Sequence, residues 1–383
     1  MNENASPVVP DLTDSIAGRI ELVENAIVVP PPKNDANRSV QNSGVLAADG
    51  RFVENSITWR GRAQVTRAPA MPDPQSVVEM SGNYMFLGPL FGHFGHFLVE
   101  SICRIWAYGE LRGKIDGAVW VPKFQNRPEH VLNVYTPFLN ALGVDCPLYN
   151  LSDPTRIERL YVPQQGFGMF QMIEGAPEFR EFVRANAGKN IVPKGAKKIY
   201  VSRSALPAIR GSILGETLLE SYLQDEGYEV FHPQKYNHAD QIAAYKAATH
   251  IIAVDCSPLH LLALVGNADQ KVGIIARRAG DLDQIFAQQL RAFQGSDAHP
   301  FNYLRRNWIE EHANRPSRTS WGEIAFDSLY EGLRAAGLIE GTKAWPALTE
   351  AQITEFATKA GEGAKTTFRP YEGDTAAIVE EGD

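Results

Sequence analysis

Residues 92–100 read Gly-His-Phe-Gly-His-Phe-Leu-Val-Glu. Helical spacing puts His96 and Glu100 on one face, four residues apart, with His93 one turn earlier. A carboxylate held against an imidazole raises its basicity and fixes its tautomer, as a base that takes a proton from a hydroxyl requires. Two histidines three residues apart could also begin a zinc site, although no third ligand is evident nearby. A core histidine satisfied by backbone carbonyls is the remaining reading, for His93 above all.

Two further groups suit an anion. Ser202 and Arg203 follow an apolar run, with Arg210 seven residues on and Glu216 beyond it. Guanidinium groups bind phosphate oxygens in a bidentate way, so Arg203 and Arg210 could clamp a diphosphate and stabilise it as a leaving group. The plainer reading is two surface arginines solvating a loop. Residues 255–260 read Asp-Cys-Ser-Pro-Leu-His. Ser257 suits an N-cap and Pro258 a first helical turn, so the start of this helix offers N–H donors and partial positive charge to a phosphate, flanked by Asp255 and His260. The same residues would equally serve just to start a helix. Gly166 and Gly168 lack the third glycine of a dinucleotide fingerprint, and no GxxxxGK run is present. Asp281 and Asp283 could pair on a metal but more naturally open the following helix.

Such groups need elements to hold them. Residues 19–87, rich in β-branched and aromatic residues broken by prolines, predict irregular strands and loops. Phe94, Leu98, Ile102, Ile105 and Trp106 recur at three- and four-residue steps and predict a helix, with His96, Glu100 and Arg104 on another face. A strand at 117–121, a helix at 129–142 and a strand at 159–162 alternate as in a parallel sheet with crossover helices. Residues 185–196 lack any period and predict a linker. Beyond it, strands at 198–202, 229–231, 250–254 and 272–276 alternate with helices at 216–225, 239–247, 258–265 and 282–290, a doubly wound α/β pattern. In such a sheet ligands bind past the carboxyl ends of the strands, where both anion groups fall. The remainder shows helical pattern near 328–336 and 350–360 before a frayed acidic end.

A chain of 383 residues suits two domains. With 45 acidic against 37 basic side chains the formal charge is −8, and no basic cluster offsets it, which excludes nucleic-acid binding. The first fifteen residues carry Asp11 and Asp14 with neither a basic nor an apolar run, so they predict no signal peptide or anchor. Three cysteines without CxxC spacing, Cys103, Cys146 and Cys256, fit a reducing cytoplasm.

Three motifs together resemble family-61 glycosyltransferases, especially the bacterial branch linked to capsule and surface polysaccharide synthesis. They are residues 96–100 with Ser101, Arg104 and Trp106; residues 199–203 with Arg210 and Glu216; and the strand 251–254 with Asp255, Ser257, Leu259 and His260. Gly227, Tyr228 and Gln241 also stand where the family has a Gly-aromatic strand and a Gln-led helix. The resemblance covers about residues 80–292. It implies a GT-B type α/β fold, two Rossmann-like domains facing each other across a cleft: 1–190 on the acceptor side, 191–295 binding the nucleotide-sugar, and 296–383 a helical extension. It further implies inverting, metal-independent transfer from a nucleotide diphosphate donor, a UDP-sugar foremost, to an oligosaccharide or polysaccharide acceptor, with no cofactor. His96, Glu100, His93 and Asp255 would be catalytic; Ser202, Arg203, Arg210, Glu216, Ser257, Pro258, Leu259 and His260 would bind the donor. A homodimer and peripheral contact with membrane-bound polysaccharide machinery at the inner membrane face fit the same picture. Cys256 replaces the usual glycine and Pro258 a small residue, which predicts a looser backbone contact with diphosphate at that turn. A non-catalytic carbohydrate-binding or polysaccharide-assembly protein of the same fold, and a GT-B-shaped nucleotide-sugar epimerase, are the other readings.

Overall fold

The computed structural model describes residues 7–35 and 38–373, so the frayed end expected at the carboxyl terminus lies outside the described residues. The chain divides into two units, one up to Asn190 and one from Ile191.

In the first unit, Ile20–Val29 (β1) is a strand of ten residues dense in isoleucine and valine. It stops where Pro30, Pro31 and Pro32 remove three successive N–H donors. It pairs antiparallel with Gly44–Leu46 (β2) on one side and with a later strand, Thr155–Pro163, on the other. Between these in sequence come Val78–Leu90 (β3), Gly117–Pro122 (β4) and Leu148–Asn150 (β5), which makes Thr155–Pro163 β6. The sheet order is β2-β1-β6-β3-β4-β5. The run β6-β3-β4-β5 is parallel. The crossover from β4 to β5 is the helix Pro128–Ala141 (α1), and Pro177–Asn186 (α2) closes the unit. Val28, Phe86, Val119, Val121 and Leu160 fill its core. The region expected to be irregular thus supplies two long strands.

The helix expected over 94–106 is broken. Phe94–His96 is one α turn, Phe97–Ser101 a π turn, Ile105–Ala107 a 3₁₀ turn and Tyr108–Leu111 a last α turn. Arg104, expected beside His96 and Glu100, explains the break. Its guanidinium is fully buried and donates to the carbonyls of Asn55 (3.0 Å), Ile57 (2.6 Å) and Pro163 (3.0 Å) and to Thr58 Oγ1 (3.1 Å). A buried cation costs several kcal/mol unless its donors are satisfied, which outweighs one more helical turn. Gly88 makes room for it: at φ +95°, a Cβ would lie 2.7 Å from Arg104 Nη1.

In the second unit the strands Lys198–Val201 (β7), Glu229–Phe231 (β8), His250–Val254 (β9), Lys271–Ile275 (β10) and Asp297–Phe301 (β11) form a wholly parallel sheet in the order β8-β7-β9-β10-β11. Glu216–Asp225 (α3), His238–Ala247 (α4), Pro258–Val265 (α5) and Leu282–Gln294 (α6) alternate with them, within a few residues of the sequence expectation. Residues 296–373, expected as a helical extension, cluster with this unit. Besides the helices Phe326–Ala335 (α7) and Glu350–Ala364 (α8) they supply β11 and an antiparallel sheet of Leu304–Glu310 (β12), Trp321–Ile324 (β13) and Phe368–Pro370 (β14). These strands carry Pro300 and several charges in place of apolar alternation, which only an edge position or a small sheet tolerates. Tyr200, Ile252, Leu219, Phe326, Leu333 and Ile353 share one core.

Candidate active site

The strands β3 and β4 end in register, Leu90 opposite Pro122, so Phe91 and Lys123 follow side by side at the carboxyl edge of the first sheet. The helical turns at 94–101 begin there. They bring His96 and Glu100 together: His96 Nδ1 is 2.6 Å from Glu100 Oε2, with His96 partly exposed and Glu100 wholly buried. Because an ionised carboxylate only accepts, Nδ1 is the donor of this bond and Nε2 the basic nitrogen. The π turn that carries Glu100 is a distortion frequent at functional sites.

Arg60, from a short hairpin of Trp59–Arg60 and Ala63–Gln64, grips the same carboxylate through Nε (2.9 Å to Oε1) and Nη2 (3.1 Å to Oε2). Burial alone would raise the Glu100 carboxyl, but the hydrogen bond with His96 and the Arg60 charge outweigh it and hold the group below its ordinary value. His96 stacks on Phe91 with ring centroids 5.4 Å apart, and the Lys123 ammonium lies over the same Phe91 ring at 5.7 Å. Burial pushes Lys123 down to about 8, and its ammonium donates to the Arg38 and Ser39 carbonyls, each at 2.9 Å. His93 is exposed and meets His96 edge-on at 6.4 Å. Among the described residues no group of three His, Cys, Asp or Glu side chains could hold a metal ion.

In the second unit, the order β8-β7-β9 places a topological switch between β7 and β9, the position where open α/β sheets bind ligands. Ser202 and Arg203 follow β7, while Asp255, Cys256 and Ser257 follow β9. Arg203 does not form a two-guanidinium clamp with Arg210. Its Nη2 donates to the Arg210 and Gly211 carbonyls (2.7 and 3.0 Å) and its Nε to Gly211 (3.2 Å), while Arg210 is exposed in a 3₁₀ turn. The carbonyls of that turn need donors, and Arg203 supplies them. Glu216 is an anchor for the same loop. Buried at the start of α3, it accepts from Tyr200 (3.0 Å), Ser202 (3.3 Å), Ser212 (2.5 Å) and the Arg203 N–H (2.8 Å), and burial raises its carboxyl despite these bonds. The single Ser202 hydroxyl proton is shared between Glu216 and, more closely at 2.5 Å, Glu220.

Asp255 is buried against Arg277, whose Nε donates to the Asp255 carbonyl (3.1 Å) and pairs ionically with Oδ1 at 3.0 Å, while its backbone N–H donates to Oδ2 (2.8 Å). Both carboxylate oxygens are engaged, so Asp255 serves Arg277 before any ligand. Burial lowers Arg277 to about 10, still cationic at neutral pH. Ser257 makes no side-chain cap: its backbone is already helical at φ −53° and ψ −33°. The N–H groups of Leu259 and His260 turn back to the Cys256 and Ser257 carbonyls, each at 3.0 Å, which removes two donors expected for phosphate. Pro258 opens α5 as expected, and Leu259 is core. His260 faces α6, bonded to Gln289 Oε1 at 2.7 Å and packed on Phe286. Burial pushes the Cys256 thiol up to about 12, with Arg203 and Arg277 near enough to oppose it.

Arg60, Lys123 and Arg277 escaped the sequence reading as site residues. Lys123 and Arg277 had a usable signal, each being the first or second residue past a buried strand. Arg60 had none, since it lies 40 residues ahead of Glu100.

The family model described as Glycosyltransferase 61 matches residues 94–273. No curated protein matches the chain in sequence. Among solved structures, the dodecameric iron-containing heptosyltransferase TibC in complex with ADP-D-β-D-heptose is similar at 9% identity and a TM-score of 0.28, over 94% of this chain and 98% of that one. A likeness at that score carries no argument about geometry or chemistry. No helix among the described residues is long and apolar enough to cross a membrane.

Proposed function

From the match of residues 94–273 to the Glycosyltransferase 61 model, we propose that the chain is a glycosyltransferase that transfers a sugar from a nucleotide diphosphate donor to a carbohydrate hydroxyl with inversion. The observation that carries this reading is the 2.6 Å contact between His96 and the buried Glu100 at the carboxyl edge of a parallel sheet. His96 Nε2 takes the proton of the acceptor hydroxyl as its oxygen attacks the anomeric carbon. The bond from that carbon to the diphosphate breaks, and the leaving group carries away the electron pair. Glu100 fixes the tautomer and stabilises the imidazolium.

On this proposal the GT-B arrangement divides the labour: the first unit supplies the base and the second the donor site. Arg203 and Arg277 supply positive charge past β7 and β10, beside the start of α5. Arg210 and Ser257 fit an outer part of that site, and Asp255 acts through Arg277. A UDP-sugar donor, no metal requirement, and a surface or capsular polysaccharide product made at the inner membrane face complete the proposal.

His96→Gln is expected to keep the wild-type melting temperature and to lose about 10²–10⁴-fold in transfer rate. Donors are ranked by thermal shift against UDP, GDP, CMP and dTDP with their sugars, since a ligand of the folded state raises the melting temperature. A folded His96→Gln protein with full transfer activity defeats the base assignment. The absence of any shift with all four nucleotides defeats the donor class.

A further inference from the structure

The carboxylate that orients His96 is itself oriented by a side chain from far upstream, and we infer that Arg60 is a positioning residue for the base. The inference rests on the proposed role of His96. Arg60 takes both oxygens of Glu100, at 2.9 and 3.1 Å, in the forked geometry that only a guanidinium provides. Its Nη2 also lies 3.5 Å from His96 Nδ1. An ionised carboxylate only accepts, so the 2.6 Å contact with Oε2 places the proton on Nδ1. By taking both oxygens of Glu100 and matching its negative charge, Arg60 holds that acceptor in place and so leaves Nε2 unprotonated, as a base requires.

The backbone leading into Arg60 is held at several points. Trp59 donates from its N–H to Gln165 Oε1 (2.7 Å) and accepts at its carbonyl from Gln165 Nε2 (3.0 Å). Arg104 binds the carbonyls of Asn55 and Ile57 and the hydroxyl of Thr58 just before it. A chain fixed this closely delivers a buried guanidinium, 9% exposed, to one carboxylate. Arg60 lies outside the residues 94–273 that match the family model.

The positive charge of Arg60 opposes protonation of the Glu100 and His96 pair. Removing it makes the pair hold a proton more tightly, so the acid limb of the pH profile moves upward. Among the described residues the other titratable or charged groups around the pair are Lys123 after β4 and His93, Cys103 and Arg104 on the helical segment, and all remain in the variants.

Arg60→Met and Arg60→Lys are compared with wild type in two measurements. In the first, the pH profile of kcat/KM is recorded. Arg60→Met is expected to raise its acid limb by about one pH unit or more and to lower kcat/KM at pH 7 at least tenfold, and Arg60→Lys to show the same changes to a smaller degree. In the second, the His96 imidazole is titrated by NMR in the full chain without substrate, its signal assigned by its loss in His96→Gln. The midpoint is expected to rise in both variants. If the midpoint and the acid limb both stay at wild-type values, the inference is overturned even where activity falls, because a merely structural role lowers stability without moving either. Arg60→Lys decides in the same way should Arg60→Met fail to fold. A raised midpoint alongside full activity of His96→Gln overturns instead the reading of His96 as base.

Discussion

Two buried carboxylates of this chain show how neighbours decide a protonation state. Glu100 is held ionised because His96 and Arg60 together outweigh its burial. Asp283, in the first turn of α6, lacks such partners: its Oδ2 is buried without a hydrogen bond, and burial raises the group to about 6. A carboxyl whose folded value exceeds its unfolded value favours folding only while protonated. That contribution is present below about pH 4 and is lost as pH rises through about 6. Asp283→Asn is therefore expected to match wild type in unfolding free energy from urea titration at pH 3.5 and to exceed it at pH 8, by about 1–3 kcal/mol. Equal free energies at pH 8 would show that a partner accommodates the charge. At this scale the sequence revealed pairs joined by helical spacing and missed pairs joined by folding. His96 and Glu100 stand four residues apart and were legible. Arg60 with Glu100, and Arg277 with Asp255, are separated by 40 and 22 residues, and no period marks them. Arg203 was legible as a residue past a strand, but its use on the Gly211 carbonyl depends on a left-handed glycine turn at φ +62°.

Elements were readable where one face alternates cleanly. Between Lys198 and Gln294 buried strands rich in β-branched residues alternate with helices, and their bounds agree closely with the pattern. The segment 94–106 was misread because the apolar steps of an α helix persist through a π turn and a 3₁₀ turn, and the cause of the break, the buried Arg104, lies in tertiary contacts. Gly88 is the counterpart of that break on β3. Gly88→Ala forces a side chain into a left-handed conformation and against the Arg104 guanidinium. A loss of about 1–3 kcal/mol in chemical denaturation is expected, with a fall in transfer rate if Arg104 shifts the turns that carry His96. Unchanged stability would mean that β3 relaxes freely at this point.

At the scale of the molecule each unit completes its own sheet and core. The second unit closes its parallel sheet with β11 and packs α7 and α8 on the same cluster as Tyr200 and Ile252. A fragment of residues 191–373 is expected to unfold in one cooperative transition by circular dichroism, while a fragment ending at residue 295 loses β11 and should not. A gradual, non-cooperative melt of the longer fragment would show that its core depends on residues before 191. Surface loops ordinarily accept insertions, and the stretch from Asn55 to Thr58 has the polar composition of such a loop. It behaves instead like the ring of a crown ether, its oxygens spaced to fit one cation. Adding a single residue there would put the oxygens out of step with the guanidinium they enclose, which makes this short stretch a place where length is less negotiable than sequence.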